Sequence, residues 1–209
     1  VTFSILLQAF GLFVATNIDD VIILALFFAR AGGAPGSSFR ITAGQYLGFV
    51  GILVASIATT AGAGMLLSPS VIPYFGLVPL VLGIKAAWDE WNEEEDENVA
   101  EETGTKGASE AAGVGKIVSI ASVAGVTFAN GGDNIGVYVP VFLSQGWAAT
   151  VTYSLVFLVL VGALVYIAHF VATQPTIAKI LERWESVLFP LVLIGLGIAI
   201  LVSGGAFGL

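Results

Sequence analysis

The chain reads as a succession of long apolar runs separated by short polar breaks, and the runs are continuous instead of alternating with a period of two residues. Continuous runs exclude the short alternating strands of an outer-membrane barrel. A hydrocarbon core about 30 Å thick needs roughly 20 helical residues to cross it. Six runs are long enough to qualify, at about residues 2–29, 41–67, 71–88, 117–143, 148–172 and 186–206, the third being short and carrying Pro73 and Pro79. The pattern predicts an all-α membrane protein with six transmembrane helices.

Polar positions inside those runs carry the next level of information. The first run holds Ala15-Thr16-Asn17-Ile18-Asp19-Asp20-Val21 and the fourth holds Ala129-Asn130-Gly131-Gly132-Asp133-Asn134-Ile135. The third and sixth runs share Pro-Leu-Val-Leu, starting at Pro79 and Pro190, at nearly the same offset. Two matches at a nearly common spacing point to an internal duplication. A repeat of three helices, an odd number, re-enters the membrane from the opposite side, giving two inverted-topology three-helix repeats with ion sites expected near the midplane. The expected organisation is a first repeat over residues 1–88, an acidic linker over 89–115 and a second repeat over 116–209.

Composition supports lipid as the solvent: of 209 residues, 57% are hydrophobic and 11% charged, with a mean hydropathy of +0.97. Basic residues then set the orientation. With six spans, all seven Lys and Arg (Arg30, Arg40, Lys85, Lys106, Lys116, Lys179 and Arg183) fall on one side, which is expected to be cytoplasmic. Both termini are expected outside, in a multi-pass cell membrane protein. Trp88, Trp91 and Trp184 mark the expected inner interface and Trp147 the outer one. The net charge of −8 comes largely from residues 89–110, where ten carboxylates stand beside one lysine. Such a segment reads as a solvated tether between the halves, with an antenna that concentrates cations at the cytoplasmic mouth as the functional alternative. Residues 174–185 are expected to form a short amphipathic helix on the inner surface.

Outside the linker and the pair Glu182 and Glu185, the only carboxylates are Asp19, Asp20 and Asp133, all at membrane depth. A charged side chain at the bilayer centre costs several kcal/mol and is retained where it pairs, faces water or binds a cation. Thr16, Asn17, Asn130 and Asn134 add oxygen donors, and Gly131-Gly132 weakens the helix. Carboxylates, amides and a hydroxyl make a hard anionic shell that suits a divalent cation and repels an anion. Asp19 and Asp20 point about 100° apart on a regular helix, so both line one cavity only if the segment is distorted. There is no cysteine, which excludes disulfides and thiolate ligation. Gln45 and His169 are candidates for the pathway, with packing or an interfacial position as their plainer roles. Ser56, Thr59 and Thr60 are expected to bond neighbouring carbonyls.

The pair ATNIDD and ANGGDN, together with GQYLGF at residues 44–49 and the Pro-Leu-Val-Leu-Gly stretch, resembles the cadmium resistance transporter family of the lysine-exporter superfamily. The likeness covers nearly the whole chain except the acidic linker. It implies export of Cd²⁺ or a related ion such as Zn²⁺ or Mn²⁺, bound at Asp19 and Asp133 with Asn17, Asp20, Asn130 and Asn134 assisting. The absence of cysteine makes the site harder than a Cd²⁺ site would ideally be, so Mn²⁺, Zn²⁺, Ca²⁺ and Mg²⁺ stay open. Alternating access follows, and because protons compete with a metal for carboxylate oxygens, metal/proton antiport is the expected coupling. There is no G-x-x-x-x-G-K-[ST] loop, so the chain does not itself use ATP. The expected partners are the divalent cation, as substrate and not as resident cofactor, and the lipid bilayer, with no nucleic acid; oligomeric state stays open, a homodimer among the candidates. Alternatives from other classes are a passive divalent-cation channel and an intramembrane aspartyl protease, the latter lacking its usual Gly-x-Gly-Asp and Pro-Ala-Leu elements.

Overall fold

The computed structural model describes residues 3–68, 70–93, 118–174, 190–202 and 204–206, and among these all regular structure is helical. Helix α1 spans Phe3–Ala31 and α2 Ser37–Leu66, four residues earlier at its start than the hydropathy pattern placed it. A short 3₁₀ turn over Ile72–Gly76 leads into α3, Leu77–Glu93, which runs on past Trp88 into the first residues of the acidic stretch. Residues 94–115 of the expected linker lie outside the described residues, as do Trp184 and nearly all of the expected surface helix. Helix α4, Ile120–Asn130, begins with a reciprocal cap in which Ser119 and Ser122 satisfy each other's backbone N–H groups. Helix α5, Gly132–Val171, follows almost at once, and α6 covers Pro190–Val202.

Three helices, α1, α2 and α5, are individually long and apolar enough to cross a membrane. The expected fourth and fifth spans meet within α5, where Gly146 adopts a φ of 76° that other residues rarely tolerate and so turns the chain. The fourth span itself is divided, into α4 and the part of α5 that precedes Gly146.

Segments adjacent in sequence run in opposite directions, so α1 and the part of α5 after Gly146 run parallel, as do α2 and the stretch from α4 to Gly146. At one end of the bundle Tyr153 bonds Gln8, 3.0 Å away, and Gly64 faces Leu143; at the other end the rings of Phe28 and His169 meet edge to face at 4.8 Å, and Gly44 lies against Ile120 and Val123. Helix α5 packs along α1 and α2, and α2 also lies along α4. Close approach of α2 to α4 follows from their small residues: a side chain at Gly44, Gly48 or Gly51 would strike Val123, Thr127 or Phe128. Helix α6 meets the 3₁₀ turn and α3 in the same way, Gly76 against Gly197 and Ile200, Leu80 against Gly197, and Gly83 against Leu193 and Ile194.

Large apolar side chains face outward. Val151, Leu155, Val159 and Tyr166 form an exposed stripe on α5, and Leu47, Val50 and Val54 another on α2. Among the rings and aliphatic side chains of the interior lie Thr16, Asn17, Asp20, Gln45, Ser56, Thr60, Thr127, Asn134 and Thr150. Apolar outside with polar groups gathered inside is the arrangement that lipid favours, since nothing in hydrocarbon can satisfy an exposed polar group. Among the described residues every buried side-chain polar atom has a partner.

Candidate metal-binding cluster

Both aspartate motifs sit at interruptions in the helical backbone. In α1 the regular helix fails at Asn17, with φ −135° and ψ 15°, and in the second motif it fails at Gly131, with φ −83° and ψ 18°. Each break lies two residues ahead of an aspartate, Asp19 in one case and Asp133 in the other. The weak point expected at Gly131-Gly132 is thus a real break. A Cβ at Gly131 would meet the end of the Ile52 side chain of α2, so any larger residue there needs that side chain to move. Helix α4 ends at Asn130 after 11 residues, about 16 Å of rise, which is half a bilayer core.

The break in α1 brings both of its aspartates to one neighbour. Asn130 donates through Nδ2 to Oδ2 of Asp19 at 2.6 Å and to Oδ1 of Asp20 at 3.0 Å. Gln45 donates through Nε2 to the other oxygen of Asp20, Oδ2, at 2.8 Å, and its own Oε1 accepts from the hydroxyl of Thr127. Four helices therefore converge here: α1 supplies the carboxylates, α2 Gln45, α4 Thr127 and Asn130, and the start of α5 Asp133. The carboxylate of Asp133 accepts from the backbone N–H of Asn134 at 2.9 Å. Exposure grades across the cluster, from Asp20 at 4% through half-buried Asp19 and Asn130 to exposed Asp133.

A second network holds the α1 break in shape. Nδ2 of Asn17 donates to the carbonyl of Phe13 at 2.9 Å, taking up an acceptor of the preceding turn, and reaches Oη of Tyr138 at 3.0 Å. The hydroxyl of Thr16 bonds the carbonyl of Leu12 and lies 3.0 Å from the same tyrosine oxygen. Asn134 Nδ2 donates to Oδ1 of Asn17 at 3.4 Å, a long contact that joins the two broken segments.

Toward the end of the bundle where α1 begins, a layer of fully packed rings covers the cluster. Phe13, one turn before Asn17, lies 5.7 Å from Phe49 and 5.6 Å from Phe157, and Phe157 lies 5.0 Å from Tyr138 and 5.8 Å from Tyr153, between ring centroids. All five are at most 4% exposed.

Seven side chains singled out from the sequence, Thr16, Asn17, Asp19, Asp20, Asn130, Asp133 and Asn134, thus come together within one region. Gln45 belongs to it more intimately than a pathway position required. His169 does not: it is exposed and packs on Phe28, eight residues beyond Asp20 along α1 and about 12 Å of helical rise away. Ser56 and Thr60 bond carbonyls four residues back in their own helix, the role their positions suggested. Thr127 and Tyr138 are members the sequence did not reveal. Thr127 lies three residues before Asn130 and so on the same helical face, a signal available in the spacing; Tyr138 sits in an apolar run with nothing to mark it.

Among the described residues no three Asp, Glu or His side chains converge closely enough to enclose an ion by themselves. The donors gathered around Asp19 and Asp20 are amides and hydroxyls, all hard. No curated protein and no solved structure matches the chain. A family model does, over residues 13–209, which takes in both broken helices and every residue of the cluster: the chain belongs to the cadmium resistance transporter family.

Proposed function

We propose that this protein carries a divalent metal cation out of the cytoplasm, by alternating access around Asp19, Asp20 and Asp133, in exchange for protons. The observation that carries the proposal is the bridging amide of Asn130. Its NH₂ group lies within hydrogen-bonding distance of carboxylate oxygens from two aspartates at once, so those oxygens converge on a common point, and that point is occupied by the positively polarised end of a dipole. A cation placed there would meet both carboxylates, with Asn130 turning its amide oxygen inward and Asn17, Asn134, Thr16 and Asp133 close by to complete an oxygen shell.

The path follows from exposure. Aromatic rings cover the cluster toward the end where α1 begins, whereas Asp133, Asn130 and Asp19 retain access, which supports a state open toward the end where α1 finishes and Arg30 and Arg40 stand. Basic residues mark that end as cytoplasmic. Six spans arranged as two inverted repeats account for the breaks placed two residues before Asp19 and Asp133 and for the mutual packing of α3 and α6. Rocking of the repeats would open the aromatic layer and close the opposite side. Protons compete for the same carboxylate oxygens and supply the return load.

The test is metal-resolved uptake into proteoliposomes, with Cd²⁺, Zn²⁺ and Mn²⁺ compared in the presence and absence of an imposed proton gradient. Wild-type protein is expected to move at least one of these ions faster when protons are supplied on the opposite side, and Asp19→Asn and Asp133→Asn to lose that flux. Wild-type rates in both variants for every ion would remove the site; flux indifferent to the gradient would leave the site and remove the proton coupling.

A further inference from the structure

Gln45 connects Asp20 to Thr127 across three helices, and the hydrogen-bonding chemistry fixes which way it faces. An ionised carboxylate, the form that binds a cation, accepts only, so in that form Oδ2 of Asp20 requires the amide nitrogen, and the opposite end of the amide, Oε1, then requires a donor. Thr127 provides it. The buried hydroxyls of Thr16, Ser56 and Thr60 bond carbonyls four residues back in their own helices, whereas Thr127 sends its proton across to α2. All three members are secluded, Gln45 at 1% exposure, Thr127 at 2% and Asp20 at 4%. The reach from α4 to α2 depends on Gly48, where a Cβ would fall 2.7 Å from both Thr127 Cβ and the carbonyl oxygen of Ala124.

Oδ2 of Asp20 is therefore taken by a donor held in place from a third helix, while Oδ1 is shared with Asn130, the side chain that bridges to Asp19. We infer that Gln45, aimed by Thr127, is a positioning residue for the cation site, holding Asp20 so that it presents a single oxygen, Oδ1, to the metal. This rests on the reading of Asp19 and Asp20 as cation ligands and adds to it a specific supporting pair. A carboxylate pinned at one oxygen is a one-point ligand of fixed direction. Without the pin it can rotate, and partners that orient a ligand from behind typically change metal affinity by about 10- to 100-fold when removed.

Initial rates of Cd²⁺ uptake by the full chain in proteoliposomes, measured over a range of metal concentrations, test the inference. Thr127→Val keeps the shape of the side chain and removes the hydroxyl; it is expected to raise KM about tenfold while the maximal rate per correctly folded protein stays within about twofold. Thr127→Ser restores the hydroxyl and is expected to bring KM back. Gln45→Met, which keeps the length of the side chain without its amide, is expected to shift KM in the same direction and serves if the valine variant fails to fold. A KM within twofold of wild type in Thr127→Val and Gln45→Met, or no recovery in Thr127→Ser, overturns the inference. Asp20→Asn separates the two levels: uptake lost there but unchanged KM in the supporting variants removes only the positioning role, whereas unchanged uptake in Asp20→Asn removes Asp20 from the cation site itself.

Discussion

The chain interrupts a helix twice at membrane depth, and the two interruptions are held by different forces. At Asn17 the side chains of the break do the holding: the asparagine amide takes the Phe13 carbonyl and meets Tyr138, and Thr16 joins the same phenol. At Gly131 there is no side chain to bond, and the break is fixed by shape, with Ile52 of α2 filling the space a Cβ would need. Their aspartates differ accordingly. Asp20, after the hydrogen-bonded break, is buried with donors on both oxygens, while Asp133, after the packed break, is exposed and bonded to the N–H of the next residue. On the alternating-access reading proposed above, two motifs in unequal surroundings correspond to a carrier on one side of its cycle, and the opposite state would exchange their roles.

The largest test of that contrast removes the one side chain that serves both of α1's aspartates. Asn130→Leu leaves Asp19 without its 2.6 Å donor and Asp20 with Gln45 alone. Hydrogen bonds to charged groups are worth about 1.5–3 kcal/mol each, so a loss of about 3 kcal/mol is expected, read as a fall in the thermal midpoint of the detergent-solubilised protein. A midpoint equal to wild type would mean the two carboxylates do not depend on this amide. The packed break comes next. Gly131→Val drives a side chain into Ile52, and overpacking of this kind costs about 1–3 kcal/mol; Ile52→Ala in the same chain should recover part of it, and a failure to do so would place the strain elsewhere. Smallest is Tyr138→Phe, which strips the phenol from Thr16 and Asn17 but keeps the ring against Phe157, for about 1 kcal/mol. Here the order matters as much as the size. If Tyr138→Phe proved more damaging than Gly131→Val, the break at Asn17 and not the one at Gly131 would be the more tightly determined of the two.

What was legible in advance follows from how strongly each feature is penalised in lipid. Aspartates at membrane depth stand out in an apolar run because each is costly, so Asp19, Asp20 and Asp133 could be selected from the sequence, along with the amides beside them. Glycine at 131 was readable as a weak point for the same local reason. Gln45 was visible but ambiguous, since an amide near a helix end serves packing as readily as a site. Thr127 and Tyr138 were not found, because a threonine and a tyrosine in membrane helices are common and become members of a network only when another helix arrives beside them. Helix ends and apolar runs do not coincide where hydropathy and hydrogen bonding part ways: α2 starts ahead of its apolar run, and α3 continues through charged residues that backbone bonding tolerates and a hydropathy window does not.

By itself the sequence determined the solvent of this protein, its helical character, the family it resembles and the three carboxylates that stand within its apolar runs, since each depends on the composition of a single segment and the cost of placing it in hydrocarbon. Only the tertiary structure decided that Asp19 and Asp20 share one amide, that Gln45 faces Asp20 with its nitrogen, and that aromatic rings cover one side of the cluster while Asp133 stays accessible. Those relations join helices far apart in the chain, the Asn130 bonds spanning 111 and 110 residues and the Phe13–Phe157 contact still more. They depend on the angle and depth at which glycine-lined faces meet, which no local pattern encodes.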